Sequence, residues 1–371
     1  MFIYTGDYVE QILDGAFHPT RYYTFTPRPL MEGGFYTMDD ELATLLASTY
    51  RALGQLECMA QFLPAQNQLS STLLFKESCF SKMIDYDTLD IYALMAETGL
   101  TQTEESLQNI VSAYAYSLAA KTTKISYTET ASRTFYGTES TKKVYARHEP
   151  FFLKSATANY RQYNPTAPKH ISRALEDINA YAAASQPDAL IRAAMCHYQF
   201  EMVHPYEAYN GIIGRILIYR ILHNAGIGGI EYLALSQKLH LHRGEYFEKL
   251  SIAQKDGDYR AWIVFFLQIV LDAAQSSVQA LRDYIAFTQS DEEKIIAKRS
   301  RQDHTLEAYQ YFLNYVVGDI RQVSQCLGLS FNATSRAIEV LREAGIIEQI
   351  SNGQRNRRFA HIAMFQLITS Q

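Results

Sequence analysis

The sequence has few cysteines, and they lie far apart. None of the four forms a CxxC pair, so the sequence favours neither a zinc ribbon nor a disulfide framework. We therefore expect a protein of the reduced cytoplasm. The four are Cys58, Cys79, Cys196 and Cys326.

Long apolar runs and a strong net charge are also missing. The strongest apolar run, 261–270, is too short to span a bilayer, and the N-terminus lacks the basic start and apolar core of an export signal. The 34 basic and 39 acidic residues give a formal charge of -5, too mild to indicate a membrane or nucleic-acid partner for the whole chain. We expect no membrane anchoring, and any nucleic-acid site must come from a local patch.

What remains is the composition of an ordinary globular protein, with 47% apolar and 20% charged residues. The 371 residues exceed what one core usually holds, roughly 250 residues, so we expect more than one unit. The predicted domains are an N-terminal helical region (1–120), a central core (121–288) and a C-terminal module (289–371).

Helical periodicity dominates the chain, and the predicted fold class is mainly α. Apolar residues spaced three to four apart predict amphipathic helices. From 212 to 222 the apolar residues cover nearly all sides, which predicts a helix buried in the middle of a bundle. The other predicted helices are 38–62, 70–96, 104–120, 171–184, 189–203, 243–255 and 258–285.

Three segments break the helical pattern. Residues 1–37 are rich in Tyr, Pro and Gly and predict irregular structure. The aromatic stretch 142–168 predicts a small β hairpin or flap. The charged stretch 289–301 predicts a connector between domains.

A short loop precedes the buried helix, with His204 at its start and Asn210 and Gly211 at its end. The exposed amides of a helix N-terminus form a natural phosphate site, and glycine lets an anion approach closely. A histidine beside bound phosphates can act as general base on a hydroxyl, because its ordinary pKa is close to physiological pH. This loop therefore predicts group transfer from a nucleotide.

The loop resembles the Fic family motif, which is His-Pro-Phe, any residue, Asp or Glu, Gly-Asn-Gly-Arg, two residues, Arg. This chain reads HPYEAYNGIIGR from His204 to Arg215. The resemblance implies a Fic-type helical bundle that moves AMP from ATP to Ser, Thr or Tyr hydroxyls of a target protein. It also implies His204 as the base, with Asn210, Gly211 and Arg215 holding the phosphates.

Three positions depart from that motif. Ala208 replaces the acidic Mg²⁺ ligand, Tyr209 the first glycine and Ile212 the first arginine. Phosphoryl transfer depends on metal and cationic groups that neutralise developing charge, so these losses predict poor Mg²⁺ binding and assign no metal ligand. Glu207 is acidic but one position off. Restoring Ala208→Asp and Ile212→Arg together is expected to raise activity.

Three hypotheses of function stay open at this point. The first is a nucleotidyltransferase with ATP as the nucleotide. The second is a pseudoenzyme that uses the nucleotide or peptide groove for binding only. The third is a DNA-binding regulator in which the Fic-like core is a sensor.

An upstream segment resembles the inhibitory helix of some Fic proteins, whose pattern is Ser-Ser-x-Ile-Glu-Gly. This chain reads SKMIDY from Ser81 to Tyr86. The resemblance implies that Asp85 is the inhibitory residue and pairs with Arg215. Aspartate is one methylene shorter than glutamate, so the contact is expected to be longer or to need a shift of the helix. An amphipathic helix with one surface aspartate explains the pattern equally well.

The resemblance also implies how a target is held. The family's flap clamps a target segment as an added strand, which here places the target hydroxyl in a groove beside 142–168. The sequence leaves a homodimer open.

The C-terminal module has the order of a winged helix-turn-helix. Helices are predicted at 304–317, 319–327 and 332–344, with Asn332 as the cap of the third, and a hairpin at 346–359 turns at Asn352 and Gly353. From 298 to 371 there are nine Lys or Arg and six Asp or Glu, so this part is basic. It predicts binding to DNA, with dimerisation or protein docking as the alternative. The candidate DNA contacts are Arg336, Arg342, Arg355, Arg357 and Arg358.

Overall fold

The structure is a computed structural model, and it describes residues 6–13, 20–63, 69–86, 89–98, 104–120, 124–151, 165–298, 304–351, 353 and 357–369. Most of these residues are helical. The helices are α1 (Asp40–Ala60), α2 (Leu69–Asp85), α3 (Ile91–Thr98), α4 (Glu105–Ala119), α5 (Tyr127–Tyr136), α6 (Pro168–Ala183), α7 (Ala189–Val203), α8 (Asn210–Asn224), α9 (Leu235–Leu241), α10 (Arg243–Asp256), α11 (Tyr259–Lys298), α12 (Thr305–Tyr315), α13 (Ile320–Leu327), α14 (Phe331–Glu343) and α15 (Ile362–Thr369). The strands are β1 (Gly6–Leu13), β2 (Thr20–Pro27), β3 (Val317–Asp319), β4 (Ile347–Gln349) and β5 (Arg358–His361).

The centre of the bundle is the helix pair α7 and α8. Every residue of α7 is buried, and so is α8 from Asn210 to Leu222. A helix that is apolar on all sides must be enclosed by others, so the prediction of a buried helix at 212–222 is confirmed. Trp262 of α11 fixes the packing, because its indole Nε1 donates to the Ala194 carbonyl of α7 at 2.9 Å.

The longest helix, α11, packs against α1 and runs on through most of the stretch predicted as a charged connector. That prediction was wrong up to Lys298, because Asp291 and Ile295 are buried within the helix. The boundaries of the three predicted domains remain predictions. By length and composition α11 could cross a membrane, but 61% of its most apolar window is buried in the bundle, as in the core helix of a soluble protein.

A small β hairpin lies at the N-terminal end, where irregular structure was predicted. Strands β1 and β2 pair antiparallel, from Gly6 opposite Pro27 to Leu13 opposite Thr20. The prediction failed here because a strand is stabilised by its partner and by what it packs against, and β2 packs against α7.

The flap predicted at 142–168 falls largely on residues 152–164, which lie outside the described residues. The described part, 142–151, forms no strand. The small hairpin seen in the described chain is therefore β1 and β2, and the flap stays a prediction.

The C-terminal part contains three helices, α12 to α14, and a three-stranded antiparallel sheet in the order β3, β5, β4. The predicted helices are confirmed, but the cap of α14 is Ser330, whose side chain accepts from Ala333 N, and not Asn332. Strands β4 and β5 pair with Gln349 opposite Phe359, and the predicted two-residue turn between them stays a prediction. Asn352 itself lies outside the described residues, and the winged helix-turn-helix assignment remains a prediction.

The last helix, α15, packs back onto α11, α2 and α3. A buried contact joins the same region to the long helix, since His361 Nε2 lies 3.2 Å from Asp291 Oδ2. Burial alone would raise the pKa of Asp291, but His361 and Lys294 outweigh it and lower the pKa below its usual value. The C-terminal elements β5 and α15 thus contact α11, the long helix that packs in the core.

Candidate active site

The loop from His204 to Tyr209 connects the two central helices in a bent conformation. His204 and Tyr209 both adopt the left-handed region, with φ of 48° and 59°. Asn210 braces the loop, because its Oδ1 accepts from Tyr206 N and its Nδ2 donates to the Tyr206 carbonyl, each at 2.8 Å. Both polar atoms of the Asn210 amide therefore shape the loop, a role that sequence reasoning did not assign to this predicted phosphate ligand.

Tyr209 stands where the family motif has glycine. A left-handed conformation costs a residue with a Cβ roughly 1–2 kcal/mol more than glycine. Here the conformation is held by neighbours, because Tyr209 N donates to Tyr86 Oη at 3.1 Å and its ring packs edge-on against Phe135. The loop therefore adopts this conformation without the glycine, and the aromatic ring of Tyr209 lies at the end of the loop.

Arg147 holds the other end of the loop. Its backbone N donates to the Pro205 carbonyl at 2.8 Å, and its Nε donates to the His204 carbonyl at 2.9 Å. Its guanidinium also reaches the carbonyls of Val203 and Thr166, so it links the loop to the end of the stretch 142–168. Sequence reasoning missed Arg147, because it is one of several basic residues in an aromatic stretch and nothing in the sequence sets it apart.

His204 is half-buried, and its ring lies 5.1 Å from that of Phe151. A second histidine lies close by on α7, but it is no candidate base. His197 is fully buried, burial lowers its pKa to about 3, and its Nε2 is 2.8 Å from Tyr246 Oη. Of these two, His204 is the histidine with access to a substrate.

The predicted contact between Asp85 and Arg215 is present. Asp85 Oδ2 lies 2.6 Å from Arg215 Nη2, so the shorter side chain of aspartate does not lengthen the contact. Ser81 also binds Arg215. Its Oγ accepts a hydrogen bond from Arg215 Nε at 2.8 Å, and its backbone carbonyl accepts one from Arg215 Nη2 at 2.7 Å. The plain surface aspartate weighed as an alternative does not fit, because Asp85 caps a fully buried arginine.

The carboxylate of Asp85 also covers the start of α8. A Cβ added to Gly211 would overlap the Asp85 side chain, so only glycine allows this approach. The positive end of a helix dipole is where an anion is most favourable. Asp85 therefore occupies the position expected for a phosphate, and this region of Gly211, Arg215 and the first turn of α8 is called the anion cradle below.

The contacts of Ser81 and Asp85 with α8 belong to a row of polar side chains on α2. Glu77, Ser81 and Asp85 recur every four residues on α2 and lie against α8. Glu77 is fully buried, accepts from Ser236 N at 3.0 and 2.9 Å, and has a pKa raised to about 7 by burial. Sequence reasoning assigned no role to Glu77 or Ser81, since Ser236 and Arg215, which they contact, are more than a hundred residues away.

Arg215 stays charged in this setting. Burial by itself would lower the pKa of Arg215, but the opposing charge of Asp85 outweighs it and the net direction is upward. The Nη1 atom of Arg215 is buried and has no hydrogen-bond partner among the residues that the structure describes. The carboxylate paired with Arg215 is that of Asp85.

The positions that depart from the motif do not fit a magnesium site. Ala208 offers no ligand atom and the Glu207 side chain is exposed to solvent. Within the described ranges no group of three or more His, Cys, Asp or Glu could hold a metal ion. Ile212 is fully buried in the core, so the place of the family's first arginine is apolar.

The predicted DNA-binding arginines differ in their surroundings. Arg336 is exposed on α14. Arg342 is exposed too, but its Nε lies 3.1 and 3.0 Å from the two carboxylate oxygens of Glu339. Arg357 lies over the Phe359 ring at 5.5 Å, Arg358 is half-buried on β5, and Arg355 lies outside the described residues.

The helical bundle places a histidine-containing loop at the start of its buried central helix. Residues 126–222 match the model of the Fic/DOC family, a span that runs from the cap of α5 through the loop to Leu222 of α8. Over this segment the chain is similar to the Fic/DOC family. Domains of this family generally transfer AMP or similar groups onto proteins.

One solved structure supports the fold, and two others are similar at lower TM-scores. A Fic family protein from Desulfovibrio desulfuricans matches with a TM-score of 0.56 and 17% identity, covering 88% of this chain and 97% of that one. Fic-1 from C. elegans (residues 134–508) matches at 18% identity and a TM-score of 0.48, over 67% of this chain and 74% of that one. A Fic domain containing signaling protein from Bacteroides thetaiotaomicron matches at 14% identity and a TM-score of 0.46, over 66% and 97%.

Proposed function

We propose that this chain is a Fic-type transferase that moves AMP from ATP, or a related group from another nucleotide, onto a hydroxyl of a target protein, and that Asp85 holds the site shut at rest. The observation that supports this is the anion cradle next to His204. Its arginine is fully buried and bound by Ser81 and Asp85, while its helix N-terminus faces the same carboxylate.

In the proposed reaction the hydroxyl oxygen of the target attacks the α-phosphorus of ATP. His204 takes the hydroxyl proton, the bond between the α-phosphorus and the bridging oxygen breaks, and pyrophosphate leaves with that electron pair. Arg215 and the amides at the start of α8 stabilise negative charge on the phosphates once Asp85 has moved away. Asn210 and Arg147 keep the loop in shape, so that His204 stays in position.

Magnesium has no place in this proposal. The loop lacks the ligands, as described above, so the charge on the phosphates must be offset by the protein alone. One such charged or polar contact is typically worth about 3–4 kcal/mol in a transition state, so transfer is expected to be slow beside that of a metal-loaded site.

The proposal predicts labelling that depends on His204. The chain is incubated with ATP labelled on the α-phosphate, and separately with GTP, UTP and CDP-alcohols, with and without Mg²⁺ and in the presence of a cell extract as a source of targets. Label on protein is expected from the intact chain, little changed by Mg²⁺, and is expected to fall to background in His204→Ala because no base takes the hydroxyl proton. The matched control is His223→Ala, since His223 lies at the far end of α8.

Equal labelling by the intact chain and by His204→Ala would exclude catalysis at this site. Nucleotide binding without any transfer, in both the intact chain and Asp85→Asn, would replace the proposal with a binding-only Fic domain.

A second candidate function concerns the C-terminal part. We propose that α12 to α14 and the β3–β5–β4 sheet form a winged helix that binds duplex DNA, with α14 as the recognition helix. The observation that favours it is Arg336, which is exposed on α14 and forms no ion pair with a carboxylate among the described residues, whereas Arg342 is neutralised by Glu339. Phe331 is exposed at the start of the same helix.

Arg336→Ala is therefore expected to weaken DNA binding more than Arg342→Ala. If Arg336 contacts a phosphate, the dependence of log affinity on log salt should fall by about one unit, because one fewer counterion is released. Fluorescence anisotropy with labelled duplexes at several salt concentrations measures both quantities. Absence of binding at low salt would exclude DNA and leave protein docking as the use of this surface.

A further inference from the structure

A cavity of about 480 Å³ lies between α2, α9, α11 and the C-terminal helix α15. Its walls combine aromatic and aliphatic groups with side-chain amides, which is the mixture typical of small-molecule sites, and its size falls within their usual range. Tyr232 and Phe287 supply aromatic surface, and Gln237, Gln279 and Gln366 supply amides.

Two lysines face this cavity. Lys76 of α2 is only 7% exposed, and its Nζ donates to the Leu367 carbonyl of α15 at 2.9 Å. Lys238 of α9 is half-buried close to it, and the two charges repel each other. Neither lysine has a carboxylate within ion-pair distance in the part of the chain that the structure describes.

The local electrostatics therefore leave positive charge uncompensated. The pKa of Lys76 is lowered to about 8, chiefly by burial and then by Lys238, with a small opposing effect of Glu77. The remaining charged group on the walls is Asp283 of α11, which is exposed and accepts a hydrogen bond from Gln279. Two cations beside an apolar surface, with one of them nearly removed from water, are costly unless an anion joins them.

We propose that this cavity is a binding site for a small molecule that carries a phosphate or carboxylate group on an aromatic body, with Lys76 and Lys238 holding the anionic group and Tyr232 and Phe287 the body. The site is separate from the anion cradle. Lys76 and Asp85 are nine residues apart on α2, about 14 Å along the helix axis. It does not depend on the proposed transferase function.

The cavity lies at the contact between α2 and α15, so a ligand bound there can affect both helices. Lys76, near the middle of α2, links this helix to the Leu367 carbonyl of α15, and the C-terminal end of the same helix carries Asp85. An anion that engages Lys76 binds the same ammonium group as that carbonyl and changes how the three N–H donors are shared. Occupancy of the cavity thus acts on the contact between α15 and the helix that closes the anion cradle.

Calorimetric titration of the full chain with phenyl phosphate, benzoate and inorganic phosphate tests the proposal. Phenyl phosphate or benzoate is expected to bind, and Lys238→Gln is expected to weaken that binding at least tenfold. Lys255→Gln, a change of an exposed lysine on α10, is the matched control and should leave the affinity unchanged. The two aromatic probes distinguish phosphate from carboxylate ligands, and binding of inorganic phosphate alone would contradict the aromatic half of the site.

Absence of binding to the intact chain, or equal affinity in Lys238→Gln, would overturn the proposal. Binding that rises in Asp85→Asn and ignores Lys238→Gln would place the probe in the anion cradle instead, which also overturns it. Because Lys238 is half-buried, its variant is expected to fold, and the test does not rely on changing the buried Lys76.

Proton uptake gives an independent readout. An anion beside Lys76 raises its pKa, so at pH 8 binding should draw protons from the buffer, seen as a binding enthalpy that changes with the ionisation enthalpy of the buffer. The uptake is expected to vanish in Lys76→Met. Uptake that persists in Lys76→Met would assign the proton to another group and would remove Lys76 from the site.

Discussion

Asp85→Asn is expected to increase the affinity of the chain for ATP by about tenfold to a hundredfold in the absence of added metal. In the structure the Asp85 carboxylate occupies the anion cradle, where it contacts Arg215 at 2.6 Å and covers Gly211. A phosphate must displace it to bind. A hydrogen bond to a charged group contributes about 1.5–3 kcal/mol, and about 1.4 kcal/mol corresponds to a factor of ten in affinity.

Asparagine has nearly the shape of aspartate and keeps one oxygen that Arg215 can use, so the variant tests charge and not the loss of the side chain. Titration with ATP, followed by calorimetry, measures the effect. Asp85→Glu should bind ATP as weakly as the original chain because the charge is kept, and Asp256→Asn, an exposed change at the end of α10, should have no effect. An affinity of Asp85→Asn equal to that of the original chain would show that Asp85 does not guard the cradle.

Ile212→Arg is expected to lower the free energy of unfolding by about 3–5 kcal/mol. Ile212 lies in the first turn of α8 and is fully buried in the core. An arginine there either loses its hydration without a carboxylate partner or pushes the central helices apart, and an uncompensated buried charge typically has a cost of this size. Urea denaturation of the two chains measures the difference.

Ile212→Met is the matched control, since it keeps an apolar side chain of similar volume and should cost less than about 1.5 kcal/mol. A stable Ile212→Arg chain would mean that residue 212 can turn toward the anion cradle. The burial of Ile212 changes one expectation from the sequence, because restoring Ala208→Asp and Ile212→Arg together now carries a stability penalty that competes with any gain in activity.

Many of the helices were predictable because their information is local, although the predicted helix 70–96 is two helices, α2 and α3, and α5, α9 and α15 were not predicted. Periodic apolar residues set the bounds of α7 to within one residue, and the all-round apolar pattern of 212–222 placed α8 at the centre of the bundle. The end of α11 was not predictable in this way. Its charged last turns read as a connector, and the burial of Asp291 depends on His361, a residue 70 positions further along the chain.

The same distinction between local and long-range information applies to the residues of the candidate site. The family motif identified His204, Gly211 and Arg215, and the upstream pattern identified Asp85, because each belongs to a short segment with recognisable spacing. The roles of Ser81 and Arg147 could not be deduced, since each acts through a backbone or side-chain atom brought near by folding. Asn210 was found, but the structure shows its amide bracing the loop through Tyr206.

The length of α11 limits how this protein can be divided. Forty residues at about 1.5 Å each give a helix about 60 Å long. It packs against α1 and α7 in one part, and contacts β5 and α15 in another. A chain that ended at residue 288 would end within α11 and would break its helical hydrogen bonds. It would also lack α12 and α15, which pack against α2. The smallest unit that preserves the closed cradle is thus larger than the matched family segment, and shortened versions of the protein should be expected to differ from it in how firmly Asp85 is held.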